Sequence, residues 1–421
     1  MTSLTVSFLD ESIYTLINSV ILLLFSALCA RLTRSLISPA FVFSFVWGVA
    51  LLILSFTPVI GFYPITSNAL LIFVFGAILF SMTSLVTHVI CIKWREHENY
   101  NQALALNFSQ ILIYFNVLSI VIIPILISDV MSYGSSLVEI SYNLRVASLQ
   151  GEQIGSFATA NYSVIAFFLS ILFIYAINKK QINVLWVVVS LAPFLISTLV
   201  LAGRSGLISL ILSWFFVYLL TGGRINLKAI VIFIALFLFV LVFGATLVNK
   251  VDLNNSNIFD SISILGIHIL DYLFQGPILF SRYFDNQLSI KENWDTLNSV
   301  CHALSKVELC TPISNIHADI GKFGPDKLGN VYSMYFAIFP HYSYIGVAFF
   351  IMFYSIITTY FFEKAKSGNA FSLVVSGFLF GAIVLSLFKD GFGSAFWLFI
   401  KFYLISIMLV FFFTKKGKII K

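Results

Sequence analysis

The chain has 421 residues, of which 60% are hydrophobic and only 10% charged, with a formal net charge of +6. Soluble globular proteins are about 25% charged, and a water-facing fold could not hide 46 phenylalanines. Composition therefore excludes a soluble domain, makes lipid the main solvent, and directs attention to apolar runs of about 20 residues, the length that crosses a bilayer as a helix.

The first run, 13–30, follows Asp10 and Glu11. A cleaved signal peptide would instead have a basic start and a short apolar centre. Runs at 37–59, 68–92 and 107–128 come next. Cys29 and Cys91 lie in or at the end of runs and read as core packing. A polar segment at 129–159 contains "SYNLRVASLQGEQIGSF" with Arg145. Runs at 160–178 and 182–202 lead into "TLVLAGRSGLISLILS", where Arg204 stands before the run 206–221. An arginine at mid-bilayer costs from about 3 to over 10 kcal/mol. Arg204 is expected instead in the turn between two spans, where flanking Gly203 and Gly206 leave the backbone bare for another group to approach.

After a run at 229–249 comes the longest polar stretch, about 250–332. Its portion "FDSISILGIHILDYLFQGPILFSRYF", from Phe259 to Phe284, is too interrupted by Asp271 and Pro277 to span cleanly. An interfacial or re-entrant helix pair is expected there, with a disguised twelfth span as the alternative. Cys301 and Cys310, in "CHALSKVELC", are a possible disulfide. Runs at 333–362, 371–388 and 394–414 complete eleven. The fold class that follows is an all-α polytopic membrane protein. Its organisation is eight helices over 1–249 with a loop at 129–159, a large loop at 250–332, and three helices over 333–421.

Basic residues choose the orientation. One set of short loops collects 14 of them, including Arg31, Arg34, Lys93, Arg95, Lys179, Lys180, Arg224 and Lys228, against the acids Glu96, Glu98 and Glu363. The opposite loops collect 9 basic residues and 15 acids, and Lys401 lies within a run. The 14-residue side is expected to be cytoplasmic, which puts the N-terminus outside, the C-terminus inside, and Arg145, Arg204 and Arg282 all on the outer face.

Arginine's planar fork matches phosphate oxygens bidentately. An outer-face enzyme has no ATP, so its energy must arrive in an activated substrate such as a lipid-linked diphosphate sugar. Cations aimed at the leaving diphosphate would stabilise the charge that develops as the glycosidic bond breaks. An attacking hydroxyl needs a general base. His317 and Asp319 in "NIHADIGKFG", His341 in "FPHYSYIG", and Asp271 are the candidates. No Asp-X-Asp, Walker loop, GxGxxG, HExxH or CxxC occurs, so metal-nucleotide glycosyl transfer, ATP-driven transport and zinc proteolysis lack their signatures. No metal or cofactor is implied, and nothing indicates nucleic-acid binding.

Three segments together resemble the bacterial O-antigen polymerase (Wzy) family: "AGRSGLISLIL" followed by the basic turn "GGRINLK", a long outer loop containing "YLFQGPILF", and "GNVYSMYFAIFPHYSYIGVAFF" from Gly329. The resemblance covers most of the chain as topology, through loose motifs. It implies a GT-C-like inner-membrane enzyme that works at the periplasmic face. Such an enzyme transfers a growing glycan from undecaprenyl diphosphate onto the next lipid-linked repeat unit, and a separate co-polymerase sets chain length. It implies catalytic roles for Arg204 and Arg282, and substrate contacts from Arg145, Asp271, Asn330 and Tyr332. One departure stands out: many members carry Asp-Phe-Gly after the Asn-Val-Tyr segment, where this chain has Ser343, Tyr344, Ile345 and Gly346. An O-antigen ligase shares the donor and the multi-span plan. A lipid-linked oligosaccharide flippase is the rival from another class, and the absence of duplicated halves or mid-span charge other than Lys401 weighs against it.

Overall fold

The computed structural model describes residues 2–97, 106–149, 155–200, 204–224, 226–246, 258–289, 295–311, 320–393 and 396–414. In chain order its helices are α1 Thr2–Thr33, α2 Pro39–Leu54, α3 Ser67–His97, α4 Phe108–Met131, α5 Leu137–Leu149, α6 Phe157–Asn178 and α7 Val184–Val200. There follow α8 Arg204–Leu220, α9 Leu227–Thr246, α10 Ile258–Phe284 and α11 Asn298–Leu304. After an antiparallel hairpin, β1 Gly321–Gly324 with β2 Lys327–Gly329, come α12 Phe339–Ala365, α13 Ala370–Leu385 and α14 Phe396–Phe413.

Among the described residues, six helices are long and apolar enough to cross a membrane: Asp10–Thr33, Ser67–Lys93, Phe108–Met131, Phe157–Asn178, Phe339–Ala365 and Phe396–Phe413. Shorter apolar helices are Pro39–Leu54, Val184–Leu199, Ser205–Leu220, Val231–Val240 and Ala370–Leu385. Every apolar run of the sequence falls on one of these. The outward residues confirm the solvent: Ile113, Ile120, Leu24 and Phe411 are 61%, 68%, 68% and 80% exposed on helix surfaces, a density of bare hydrocarbon that suits lipid and not water.

Four expectations change. The run 37–59 ends as a helix at Leu54 and continues as a 3₁₀ turn, Thr57–Ile60, because Pro58 and the left-handed Gly61 stop it. The run 333–362 opens with a buried 3₁₀ turn, Met334–Ala337, before α12 begins. The stretch expected as a helix pair is one helix, α10. Its interruptions fall at helical spacing: Asp271, Gln275 and Arg282 share one polar stripe, while Phe274, Ile278, Leu279 and Phe280 are buried. Polar residues on one face of a helix do not break it. Finally, the 250–332 region contains a hairpin, which no alternating hydrophobic pattern announces.

The chain divides into two compact units. Unit 1 is Met1–Glu98, Leu270–Glu363 and Ala382–Phe396, and unit 2 is Asn99–Ile269, Lys364–Gly381 and Trp397–Lys421. Unit 1 has an aromatic core. Trp47 stacks on Phe73 at 4.9 Å and meets Tyr335 edge-on at 5.2 Å, Phe280 lies against Phe73 at 5.4 Å, and Phe43 stacks on Phe80 at 4.1 Å. Trp47 donates from Nε1 to Ser386 Oγ at 3.0 Å, which satisfies the one polar atom of a wholly buried ring. Gly76 is required here, since a Cβ at that position would collide with the Tyr335 hydroxyl. At the far end of α3, His88 Nδ1 and Glu363 Oε1 form a part-buried pair at 2.7 Å, one turn from the Ser84–Thr359 hydroxyl contact.

Unit 2 is joined by hydroxyls. Ser119 of α4 contacts Tyr162 of α6 and donates to the Ser190 carbonyl of α7, while Ser190 donates to Asn116. In lipid, small polar groups of this kind tie helices that hydrophobicity alone would not hold together. Lys401, the one cation inside a run, donates to Asn161 Oδ1 at 3.4 Å. Helix starts follow capping chemistry: Ser38, Asn107 and Ser156 each accept an N–H from the first turn of α2, α4 and α6, which satisfies an otherwise orphaned donor.

Candidate functional site

Within unit 1 the hairpin is pinned to α10 and to the turn after α2. Lys327 Nζ pairs with Asp271 Oδ1 at 2.6 Å and lies 4.6 Å above the Phe62 ring. Gln275 Oε1 accepts the Val331 N–H at 3.3 Å, and the Tyr63 N–H donates to the Phe323 carbonyl at 3.0 Å. Arg282, at the end of α10, donates from Nη1 to the Lys322 carbonyl at 2.9 Å and from Nη2 to the Gln287 carbonyl at 3.3 Å, with its guanidinium 4.2 Å over the Tyr63 ring. Its Nε is buried and has no partner. Arg282 and Asp271 are therefore engaged within the protein, one on backbone carbonyls and the other on a lysine.

Asn330 and Tyr332 follow β2. Tyr332 is buried, its ring 4.7 Å from Phe336, so it belongs to the packed base under the hairpin. His341 is exposed in the first turn of α12, with its ring 6.0 Å from that of Tyr342. Two residues on, Ser343 has φ 54 and ψ −157, a break that divides α12 into two helical pieces. A left-handed serine costs about 1–3 kcal/mol, and such strain collects at functional positions. The segment "FPHYSYIG" singled out in the sequence thus carries a local distortion.

The densest polar cluster of unit 1 was not anticipated. Asp390, buried in the loop after α13, accepts the Phe392 and Gly393 N–H groups on Oδ1 at 2.9 and 3.1 Å. Its Oδ2 accepts the hydroxyl of Thr296 and that of Tyr354, the latter at 3.5 Å. Ser299 donates to the Gly393 carbonyl, and the Thr296 N–H to the Ala337 carbonyl at 2.9 Å. Gly393 must lack a side chain, because a Cβ would strike the Thr296 carbonyl. Next to Thr296, the Asp295 carboxylate accepts the Tyr342 hydroxyl, 3.0 Å from each oxygen. Burial pushes the Asp390 carboxyl up from its ordinary range, against four hydrogen bonds that pull it down. Burial pushes the neighbouring Lys389 ammonium down, against the attraction of Asp390. The signal was present in the sequence: "LSLFKDGFG" places a lysine and an aspartate in the short turn between two apolar runs, where a buried charge is costly unless it is paired.

Cys301 and Cys310 are joined in a disulfide, with Cα atoms 5.4 Å apart. The bridge closes the segment that follows α11. Arg204 is the first described residue of α8 and is itself helical. A Cβ on Gly206 would meet nothing within 4 Å, which leaves the first turn of α8 bare on that side. Arg145 lies on α5, inside the 129–159 region. Asp129 Oδ2 accepts the Ser156 N–H and the Thr159 hydroxyl at 2.8 and 2.9 Å, which ties the two ends of that region together. Arg145 and Arg204 belong to unit 2, whereas Arg282, Asp271, Asn330, Tyr332 and His341 belong to unit 1. His317 and Asp319 lie outside the described residues. Among the described residues no group of three or more His, Cys, Asp or Glu side chains is placed to hold a metal ion. Comparison with protein-family models, curated proteins and solved structures finds nothing that matches the chain.

Proposed function

We propose that this is an eleven-span inner-membrane glycosyltransferase of the O-antigen polymerase type, with its N-terminus and active face in the periplasm and its C-terminus in the cytoplasm. It uses oligosaccharide repeat units linked to undecaprenyl diphosphate and passes the growing glycan to the next unit. The observation that carries the reading is the Cys301–Cys310 bridge. Disulfides persist in the periplasm and not in the cytosol, so the bridge supports, independently of loop charge, an outward-facing 250–332 region. That region brings Asp295, Thr296 and Arg282 to the same unit as the loop of Asp390.

Arg204 is the proposed diphosphate clamp. Its planar fork matches phosphate oxygens bidentately, and Gly206 leaves the approach clear. His341, Asn330 and Arg145 are proposed to contact the sugars or the diphosphate. Arg282 and Asp271 support the site by fixing the hairpin. A co-polymerase that governs chain length is the proposed protein partner.

The test is the lipopolysaccharide of a deletion strain. A polymerase acts after flipping and before ligation, so its loss leaves core plus one repeat unit and no ladder. A missing ligase gives core alone with long polymer stranded on undecaprenyl diphosphate, and a missing flippase gives core alone with single units held on the cytoplasmic side. A core-only gel refutes the polymerase reading.

A further inference from the structure

We infer that Asp295 is the general base of the glycosyl transfer, positioned by Tyr342; the inference rests on the polymerase reading and names the residue that accepts the acceptor's proton. Three observations carry it. Asp295 is half-buried, neither lost in the core nor free in solvent. Its orientation is held from both sides: Oδ1 accepts the Leu297 N–H at 2.9 Å, and the Tyr342 hydroxyl sits 3.0 Å from each oxygen. Among the described residues Oδ2 takes only that shared hydroxyl, which leaves a lone pair for a substrate proton.

The surroundings make the carboxylate rigid. Thr296, its chain neighbour, is tied by its hydroxyl to Asp390 and Tyr354 and by its N–H to Ala337. The α11 helix that follows is fastened through Ser299 to Gly393. A base must be held within a fraction of an ångström of its proton, and no other described carboxylate of unit 1 combines such support with a free oxygen. Asp271 is committed to Lys327, Asp390 is enclosed by four donors, and Glu363 is paired with His88. The exposed His341 and the strained Ser343 flank Tyr342 on the open side.

In the step, the acceptor sugar hydroxyl attacks the anomeric carbon of the donor. The new oxygen–carbon bond forms as the bond from that carbon to the diphosphate oxygen breaks. The electron pair leaves with the lipid diphosphate, and the hydroxyl proton passes to Asp295 Oδ2, which later returns it to water. No oxidant, reductant or metal enters the balance.

The experiment uses the full-length protein in lipid nanodiscs with a purified lipid-linked repeat unit. General-base contributions run to about 100-fold or more. Asp295→Asn, which keeps an acceptor for the Leu297 N–H, is expected to lower kcat by about 100-fold with KM little changed. Asp295→Ala is expected to lose as much and to recover about 10-fold, saturably, in added formate, a small carboxylate that can take the proton. Formate should leave the wild type and Asp295→Asn unmoved. Tyr342→Phe should lower kcat by about 10-fold. Near-wild-type kcat in Asp295→Asn overturns the inference, and so does an Asp295→Ala enzyme that formate fails to rescue. If Asp295→Ala does not accumulate, the kcat of Asp295→Asn and Tyr342→Phe decides. No turnover by the wild type refutes the polymerase reading itself, and the inference with it.

Discussion

Replacing Asp390 by alanine removes one acceptor from four donors: the N–H groups of Phe392 and Gly393 and the hydroxyls of Thr296 and Tyr354. Each such bond contributes about 1 kcal/mol net, so about 4 kcal/mol is at stake. Part returns, because a buried carboxyl costs free energy to desolvate and that cost disappears with it. A net loss of about 2–3 kcal/mol is expected. Asp390→Asn keeps an oxygen for the two backbone N–H groups and should lose about 1 kcal/mol. The assay is unfolding of the purified protein in mixed micelles by increasing fractions of SDS, followed through tryptophan fluorescence; Trp47, bonded to Ser386 in the same unit, is a local reporter. The pH dependence has a definite sign. Burial raises the folded carboxyl's pKa, so between the unfolded and folded values the folded state holds more protons. The stability of the wild type relative to Asp390→Asn should therefore rise as pH falls through the raised pKa, and be lost as pH climbs through it. An Asp390→Ala protein within about 0.5 kcal/mol of the wild type would mean that the four bonds do not hold the loop.

Arg204→Ala is expected to abolish polymer while the protein still accumulates in the membrane, and Arg204→Lys to recover little, because a point charge does not reproduce a bidentate fork; a normal glycan ladder in the alanine variant reduces Arg204 to an interfacial anchor. Reporters active only in the periplasm should work when fused near residues 140, 204 and 300 and fail near 95, 180, 225 and 365; activity near 180 or 225 reverses the orientation. Arg282→Lys loses the fork that joins the Lys322 and Gln287 carbonyls, and amide hydrogen exchange across 321–329 should accelerate by about 10-fold; unchanged exchange shows that Asp271–Lys327 alone secures the hairpin.

Hydrophobicity is a property of short windows, so the apolar runs could be read directly from the chain, and each falls on an apolar helix. Local chemistry was equally legible: Ser38 before Pro39 starts α2, and Pro58 with Gly61 ends the helical path after it. Cysteine spacing raised the Cys301–Cys310 bridge but left it open, since pairing needs the two Cα atoms within reach. Tertiary structure decided the rest. It turned the interrupted stretch around Asp271 and Pro277 into one amphipathic helix, because its polar residues meet a hairpin that the sequence did not announce. It committed Arg282 to backbone carbonyls. It also brought Thr296, Tyr354 and Asp390 together across sequence separations of 58 and 94 residues. No local pattern encodes such a meeting: a carboxylate in an apolar segment signals that partners must exist, and only the packing of distant segments determines which ones they are.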